Sequence, residues 1–165
     1  MDRRKKVLIA VAGAALSLGL AFLIFGGAGG LYGSSPSAAA SGRQGGLGVA
    51  VATSKLGRIL VDGTGRTLYL FEADTNGLSA CDATCAQAWP PLIAKGAVTA
   101  GNGAKATELG STTRQDGSTQ VTYHGHPLYD FSGDAKAGDT AGQGLHAFGA
   151  DWYVVAPSGD KIDKG

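Results

Sequence analysis

The two cysteines, Cys81 and Cys85, are the first residues whose type and spacing could do chemistry. In an oxidising compartment, a pair four positions apart is most simply joined as a disulfide. The alternatives are a thiol pair for redox exchange and a site for a soft metal ion. The spacing favours neither, because thioredoxin-like sites have a two-residue gap and haem-attachment motifs end in histidine. We therefore expect a structural disulfide.

Three histidines form a second candidate site. His124 and His126 flank Gly125 at a spacing that places both imidazoles on one side of an extended strand, and His146 is a candidate third ligand from a glycine-rich loop. Three imidazoles suit Zn²⁺ or Cu²⁺. Because solvated histidines also collect in glycine-containing turns, the sequence favours exposed turn histidines and assigns neither a metal ligand nor a cofactor.

Two aspartates, Asp74 and Asp134, end two similar aromatic segments at the point where each strand should break into a turn. An aspartate in that position commonly accepts hydrogen bonds from backbone N–H groups. The alternatives are a shared Ca²⁺ site, for which Asp74-x-Asn76-Gly77 is a faint cue, and acid–base chemistry. No nucleophile with an orienting histidine accompanies them, so the sequence predicts no catalytic residue and no enzymatic activity.

These residues belong to an internal repeat, which becomes visible when the sequence is shifted against itself by 60 positions. We place the first copy at about 53–94 and the second at about 113–156, within a single domain at 49–156. Eight identical residues coincide at this one offset: Thr53 and Thr113, Gly57 and Gly117, Val61 and Val121, Gly65 and Gly125, Leu68 and Leu128, Tyr69 and Tyr129, Phe71 and Phe131, Asp74 and Asp134.

Each copy reads as a β-hairpin, with a β-rich run at 58–61 or 119–123, a turn containing glycine, and a second run ending in Phe71 or Phe131. Strand alternation puts Tyr69 and Phe71 on one face and Leu68 and Leu70 on the other, so both faces need cover. Because isolated hairpins are marginally stable, we expect the two copies to pack their aromatic faces together about a pseudo-twofold axis. The predicted fold class is mostly all-β, with one short helical turn near Cys81–Cys85.

Each copy also closes with a tryptophan entering an extended segment, since Trp89 matches Trp152 when three extra residues are allowed in the second copy. We expect these aromatic residues to form hydrophobic core, the alternative being an exposed platform on which a ligand stacks. Residues 157–165 form a polar tail.

The N-terminal 25 residues predict export. A basic cluster, Arg3 to Lys6, precedes the uncharged and mostly apolar run Val7–Phe25, which is long enough to span a bilayer as a helix. The positive-inside rule keeps the basic flank cytoplasmic. Residues 1–25 are therefore a signal anchor or a cleaved signal peptide, and the Gly, Ser and Ala-rich residues 26–48 are a flexible linker. After Lys6 the chain has ten basic and twelve acidic residues, so no nucleic-acid partner is expected.

Several segments resemble a family of bacterial secreted-repeat proteins, predicted lipoproteins with a Tyr-x-aromatic-x-x-Asp motif. The motif occurs at 69–74 and at 129–134, and further signatures lie at 81–92, 121–129 and 138–144. The resemblance covers about 54–159 and implies an exported β-repeat module, but no settled biochemical activity. The chain departs from the lipoprotein form because no cysteine comes directly after the N-terminal segment.

The sequence thus predicts a noncatalytic extracytoplasmic module, structural or protein-binding, held at the membrane by its N-terminal helix if that helix is not cleaved. A protein of the cell envelope would be its partner. The alternative hypothesis is a metal-handling or thiol-redox accessory protein that uses the two cysteines or the three histidines.

Overall fold

A computed structural model describes residues 48–163. The predicted signal segment at 1–25 and almost all of the predicted linker at 26–48 lie outside these residues. None of the helices within 48–163 is long and apolar enough to cross a membrane. The elements in chain order are β1 (Gly48–Ser54), β2 (Gly57–Asp62), β3 (Tyr69–Phe71), α1 (Thr84–Ala88), β4 (Thr99–Ala100), a 3₁₀ helix (Ala106–Glu108), β5 (Leu109–Thr113), β6 (Thr119–Tyr123), β7 (His126–Pro127), β8 (Leu145–Ala147) and β9 (Ala150–Val154).

The domain is mostly β, as predicted, and its strands form three small sheets in the orders β2-β1-β4, β3-β9-β8 and β5-β6-β7. Each repeat begins with an antiparallel hairpin, β1–β2 in the first copy and β5–β6 in the second. Strands β1 and β5 lie mostly before the starts at about 53 and 113 that the sequence suggested. Apart from Thr53 and Thr113, their side chains differ between the copies, which is why the match at the 60-residue offset begins at those two residues.

The second predicted strand of each copy requires a correction. It does not form a long hairpin with the run before the turn, because β3 pairs with β9 of the other repeat. In the first copy, only Asp62 N–H to Arg66 O and Leu68 N–H to Leu60 O, with the bridge between Val61 and Thr67, connect the two runs. In the second copy the hairpin is the short pair β6–β7.

The closing segments are exchanged between the repeats. Val155, which follows Trp152, accepts a hydrogen bond from Leu60 N–H and donates one to the carbonyl of Leu68, both in the first repeat. Leu92, which follows Trp89, is bound in the same way by Val121 N–H and Leu128 O of the second repeat. The end of each copy thus completes the start of the other.

A pseudo-twofold axis passes between Tyr69 and Tyr129. These equivalent residues bond to each other reciprocally, with N···O distances of 2.8 Å from Tyr69 N and 3.0 Å from Tyr129 N. Two antiparallel residues that exchange both hydrogen bonds are related by a local twofold operation. The axis is therefore built into the backbone pairing at the centre of the motif.

Alternate side chains of strand β3 and of the residue before it lie in different cores. Tyr69 and Phe71 belong to a cluster rich in aromatic residues, whereas Leu68 and Leu70 belong to a second, largely aliphatic cluster. This division follows the side-chain alternation of an extended strand. The C-terminal segment packs on the domain as well, because Ala156 N–H donates to Asp160 O and Ile162 N–H donates to Val154 O. The predicted polar tail is thus part of the fold up to residue 163.

Candidate functional site

Four aromatic rings of the motif and the closing segments form a continuous stack in the order Phe71, Trp152, Trp89, Phe131. The two tryptophans at its centre are nearly parallel, with ring centroids 3.9 Å apart and an interplanar angle of 4°. Each outer phenylalanine stacks on the tryptophan of the other repeat, at 4.0 Å and 4.2 Å. The order reads the same from either end, and both tryptophans are buried, so they belong to the core between the repeats.

The tyrosines of the two motifs make crossed hydrogen bonds. Tyr69 Oη donates to Asp134 Oδ2 and Tyr129 Oη donates to Asp74 Oδ2, each at 2.8 Å. Both tyrosines are completely buried, and their rings meet the tryptophans of the stack edge to face. The side chain of the first motif residue in each copy therefore bonds to the side chain of the last motif residue in the other copy.

The second carboxylate oxygen of each aspartate accepts a backbone N–H from the loop that follows its own motif. Ala80 N–H donates to Asp74 Oδ1 at 2.7 Å, and Ala141 N–H donates to Asp134 Oδ1 at 2.9 Å. The structure therefore shows the turn hydrogen bonds that the sequence suggested. The hydroxyl partner on the other oxygen was not foreseen, because nothing in a single motif indicates which tyrosine its aspartate will meet.

Burial governs the ionisation of these pairs. Desolvation raises the pKa of the Asp74 carboxyl to about 6, against the opposing effects of the Ala80 N–H and the Tyr129 hydroxyl. The pKa of Asp134 is also raised by desolvation, although the Tyr69 hydroxyl lowers it. Desolvation and the adjacent carboxylate raise the pKa of both tyrosines. At neutral pH the Tyr129–Asp74 pair is thus a protonated tyrosine donating to a mostly ionised aspartate.

The predicted disulfide is confirmed. Cys81 and Cys85 are bridged with their Cα atoms 5.2 Å apart, within the usual range for a disulfide. Cys85 lies in α1 but Cys81 precedes it, so the bridge joins the helix to the loop before it rather than two positions on one helical turn. Cys81 is completely buried and Cys85 is 6% exposed. Since thiol exchange needs access to a sulfur atom, this placement gives the redox hypothesis no support.

A buried arginine, which the sequence analysis missed, ties the cysteine loop to the second repeat. Arg114 is 6% exposed, and its Nη2 donates to the Cys81 carbonyl and to Asp82 Oδ1 at 2.6 Å and 3.0 Å. Its Nη1 donates to Ser79 Oγ and Gln120 Oε1, each at 2.7 Å. A buried charge with this many partners holds a defined geometry. The 60-residue offset gave no signal, because it matches this arginine with a serine.

The three histidines do not meet at one site. His124 and His126 flank the β6–β7 turn with ring centroids 6.4 Å apart, whereas His146 lies on β8 in another sheet and pairs with Asp151. Within residues 48–163, no group of three or more His, Cys, Asp or Glu side chains is arranged to hold a metal ion. The three histidines therefore do not form the candidate metal site that was considered from the sequence.

The segment considered for Ca²⁺ is a tight turn. Asn76 and Gly77 have φ values of 54° and 73°, and Leu78 N–H donates to Thr75 O across them. Asparagine and glycine are the residues that favour this pair of left-handed conformations. The Asp-x-Asn-Gly spacing is thereby explained without a cation.

An open cleft of about 320 Å³ lies beside Asp74. Lys161 Nζ and Glu72 Oε1, which both line the cleft, form an ion pair. Burial and the neighbouring His124 lower the pKa of His126, so its imidazole is neutral at neutral pH. The cleft combines apolar, acidic and basic side chains: Leu70, Phe71, Glu72, Asp74, His126, Asp160 and Lys161.

The arrangement of two interlocked copies agrees with a comparison against protein families. The model of a family described as a secreted repeat of unknown function matches the chain twice, at residues 50–93 and 110–156. The chain belongs to this family. Membership of a secreted-repeat family indicates an extracytoplasmic location. No curated protein and no solved structure matches the chain.

Proposed function

We propose that the protein is a noncatalytic module of the cell envelope, tethered to the membrane by its N-terminal segment, with a structural or protein-binding role. The observation that carries the proposal is the burial of the family motif at the contact between the repeats. Tyr69 and Tyr129 bond to Asp134 and Asp74, and Trp89 stacks on the second tryptophan. These residues hold the module together, which leaves its surface for contact with a partner.

The construction suits a location outside the cytoplasm. A disulfide forms and persists in an oxidising compartment, and the Cys81–Cys85 bridge is shielded from solvent. Exchange of the closing segments means that neither repeat can unfold without exposing the aromatic core of the other. Such coupling favours a single cooperative unit.

The membrane tether is inferred from the sequence. Residues 7–25 are uncharged and mostly apolar after a basic flank, and the following Gly, Ser and Ala-rich residues supply a spacer that extends to the first strand. The spacer would hold the folded module away from the lipid headgroups. In this arrangement Arg3 to Lys6 stay cytoplasmic and residues after about Gly30 lie outside.

Protease treatment of intact cells tests the tether and its direction. We expect added protease to remove the domain while a short N-terminal fragment stays in the membrane fraction, and the mass of that fragment shows whether the segment is cleaved. A double variant with Leu16→Arg and Leu20→Arg places two charges in the apolar run and should lose membrane retention, whereas Leu16→Ile with Leu20→Ile should not. A domain that resists protease while other surface proteins are digested would contradict the proposed export.

A further inference from the structure

The cleft beside Asp74 has a counterpart in the other repeat, and the counterpart is filled by Arg66. The 60-residue offset matches His126 of the cleft with Arg66. We call the cleft and its residues Leu70, Phe71, Asp74 and His126 the open end, and their matching residues Asp130, Phe131, Asp134 and Arg66 the closed end.

At the closed end, the guanidinium of Arg66 binds backbone carbonyls that follow the motif strand. Its Nη2 donates to Phe131 O at 2.8 Å and its Nη1 donates to Asp134 O at 3.4 Å. Its Nε lies 3.8 Å from Asp130 Oδ1. A planar fork that spans two acceptors is the binding mode for which arginine is better suited than lysine.

The open end has the same backbone but no guanidinium. Asp74 N–H donates to Phe71 O at 3.1 Å, as Asp134 N–H donates to Phe131 O at 3.2 Å, so the two turns match. Among residues 48–163, no group donates a hydrogen bond to the Asp74 carbonyl. The imidazole of His126 is shorter than an arginine side chain, and it lines the cleft together with Phe71 and Asp74.

We propose that the open end binds the guanidinium of an arginine side chain supplied by a partner protein. The inference rests on the proposed protein-binding role and names the chemistry of the contact. The Phe71 and Asp74 carbonyls would accept the guanidinium N–H groups, as Phe131 and Asp134 do at the closed end. The molecule itself thus shows which group this backbone accepts.

Charge and size support the same ligand. Asp74, Glu72 and Asp160 line the cleft, and the one lysine there, Lys161, is paired with Glu72, so an entering cation meets a net negative surface. Leu70 and Phe71 add apolar surface for the methylene stem of an arginine. A cleft of about 320 Å³ is at the small end of ligand sites, which suits one side chain.

Titration of the full-length chain in detergent micelles with acetyl-Gly-Arg-Gly-amide tests the proposal. We expect saturable NMR shifts in the backbone amides of Phe71, Asp74 and His126. The citrulline peptide has nearly the same shape without the charge, and it should bind about tenfold more weakly or worse. The lysine peptide should also bind less tightly, because an ammonium cannot span two carbonyls as a fork.

Exchanging the residue that distinguishes the two ends sharpens the test. His126→Arg should place a guanidinium in the cleft and abolish peptide binding, whereas His146→Arg adds the same charge on β8, outside the cleft, and should leave binding unchanged. Arg66→His should open a second site and raise the stoichiometry from one peptide to two. If Arg66→His does not fold, the His126→Arg and His146→Arg variants still test whether the cleft binds the peptide.

Two results would overturn the inference: no saturable shift with the arginine peptide, or equal binding by His126→Arg and the unsubstituted chain. Neither result would argue against the proposed membrane tether, because protease treatment of intact cells tests the tether separately. Conversely, protease resistance of the domain in cells would contradict the proposed export but would not affect the result of the peptide titration.

Discussion

The open and closed ends have matching backbone turns and differ in some of their side chains. At both ends a tyrosine of one repeat bonds to the aspartate of the other, and that aspartate accepts an N–H from its own loop. Away from the axis the ends diverge, since Arg66 and Asp130 at one end correspond to His126 and Leu70 at the other.

The residues at the axis contact their own equivalents in the other copy. Tyr69 pairs with Tyr129 and Trp89 stacks on Trp152, so each of these residues touches its own equivalent. A change in one copy at the axis disturbs both copies at once. Residues at the two ends contact different neighbours, and each end can change without affecting the other.

The largest effect is expected at the axis, where the two ends should respond alike. Tyr69→Ala and Tyr129→Ala each remove a buried ring and should lower the free energy of unfolding by about 3–5 kcal/mol. Because the environments are equivalent, the two losses should agree within about 1 kcal/mol. Denaturant melts of the full-length protein measure both, and a loss below about 1 kcal/mol in either variant would mean that its ring is not packed.

Phenylalanine at the same positions separates the ring from its hydroxyl. Tyr69→Phe and Tyr129→Phe keep the packing but leave an aspartate oxygen without its donor, which should lower the free energy of unfolding by about 1–3 kcal/mol. A loss as large as that of the alanine variants would assign most of the stability to the hydrogen bond.

The disulfide should contribute less than either buried tyrosine ring, and it lies in the first repeat alone. A double Cys81→Ser and Cys85→Ser variant opens a very short loop, for which the chain-entropy model gives about 2 kcal/mol. Ellman titration of unreduced and reduced protein checks the bridge, and a melt with reductant checks its contribution. If reductant leaves the midpoint of the wild-type protein unchanged, the hydrogen bonds of Arg114 and of Ala80 N–H hold this segment without the bridge.

Alanine at the two distinguishing positions compares the ends directly. Arg66→Ala removes the guanidinium bonds to two carbonyls and leaves Asp130 without its cation, so we expect a loss of about 1–2 kcal/mol in the free energy of unfolding. His126→Ala should cost less than about 0.5 kcal/mol, because among the described residues no hydrogen bond involves its imidazole. Thermal melts of both variants measure the difference. Equal losses would contradict the claim that a side chain closes one end and leaves the other end open.

Much of the symmetric part could be predicted from the sequence, since repetition and alternation are local patterns. The offset that matches Tyr69 with Tyr129 identified the residues at the axis, and period-two alternation assigned Phe71 and Leu70 to different cores. The pairing of β3 with β9 could not be predicted. Two β-rich runs joined by a glycine-containing turn have the same sequence pattern whether they pair with each other or with a distant strand. Only the distant partner distinguishes them.

The residues that differ between the repeats could not be recognised from the matching positions. Arg66 and His126 stand at matched positions but differ, so the eight identities at the 60-residue offset do not include them. Arg114 was missed likewise, since its counterpart is a serine and burial of an arginine depends on partners from several segments. A mismatch inside an otherwise matching repeat is the signal that could have drawn attention to both.

The smallest effect is a dependence of stability on pH to which both ends contribute. Desolvation raises the pKa of Asp74 at the open end and of Asp130 at the closed end to about 6, from the ordinary value near 4. Between these pH values the folded protein binds more protons than the unfolded chain, so the free energy of unfolding falls as pH rises from about 4 to 6 and levels off above. Partial contact with water limits each contribution to about 1 kcal/mol or less.

The groups around each carboxyl determine how this effect must be measured. Asp74 faces Arg114, Asp82 and the Tyr129 hydroxyl, with His126 across the cleft, and Asp130 faces Asp62, Arg66 and Asp134. Desolvation lowers the pKa of His126, which makes its own contribution to stability rise with pH toward about 6.5 and oppose the fall.

Thermal melts from pH 4 to 8 in a His126→Gln background remove the opposing titration of the imidazole, while Asp134, whose pKa desolvation also raises, stays the same in every variant. Asp74→Asn and Asp130→Asn should each flatten part of the fall in Tm, and the double variant should flatten more than either. Asp116→Asn is the control, because bonds from Ser118 lower the pKa of this exposed carboxyl and its removal cannot flatten a fall above pH 4. If one variant alone removed the whole fall, the titration would belong to one end, and the open and closed ends would differ in charge burial as well as in the side chain that fills them.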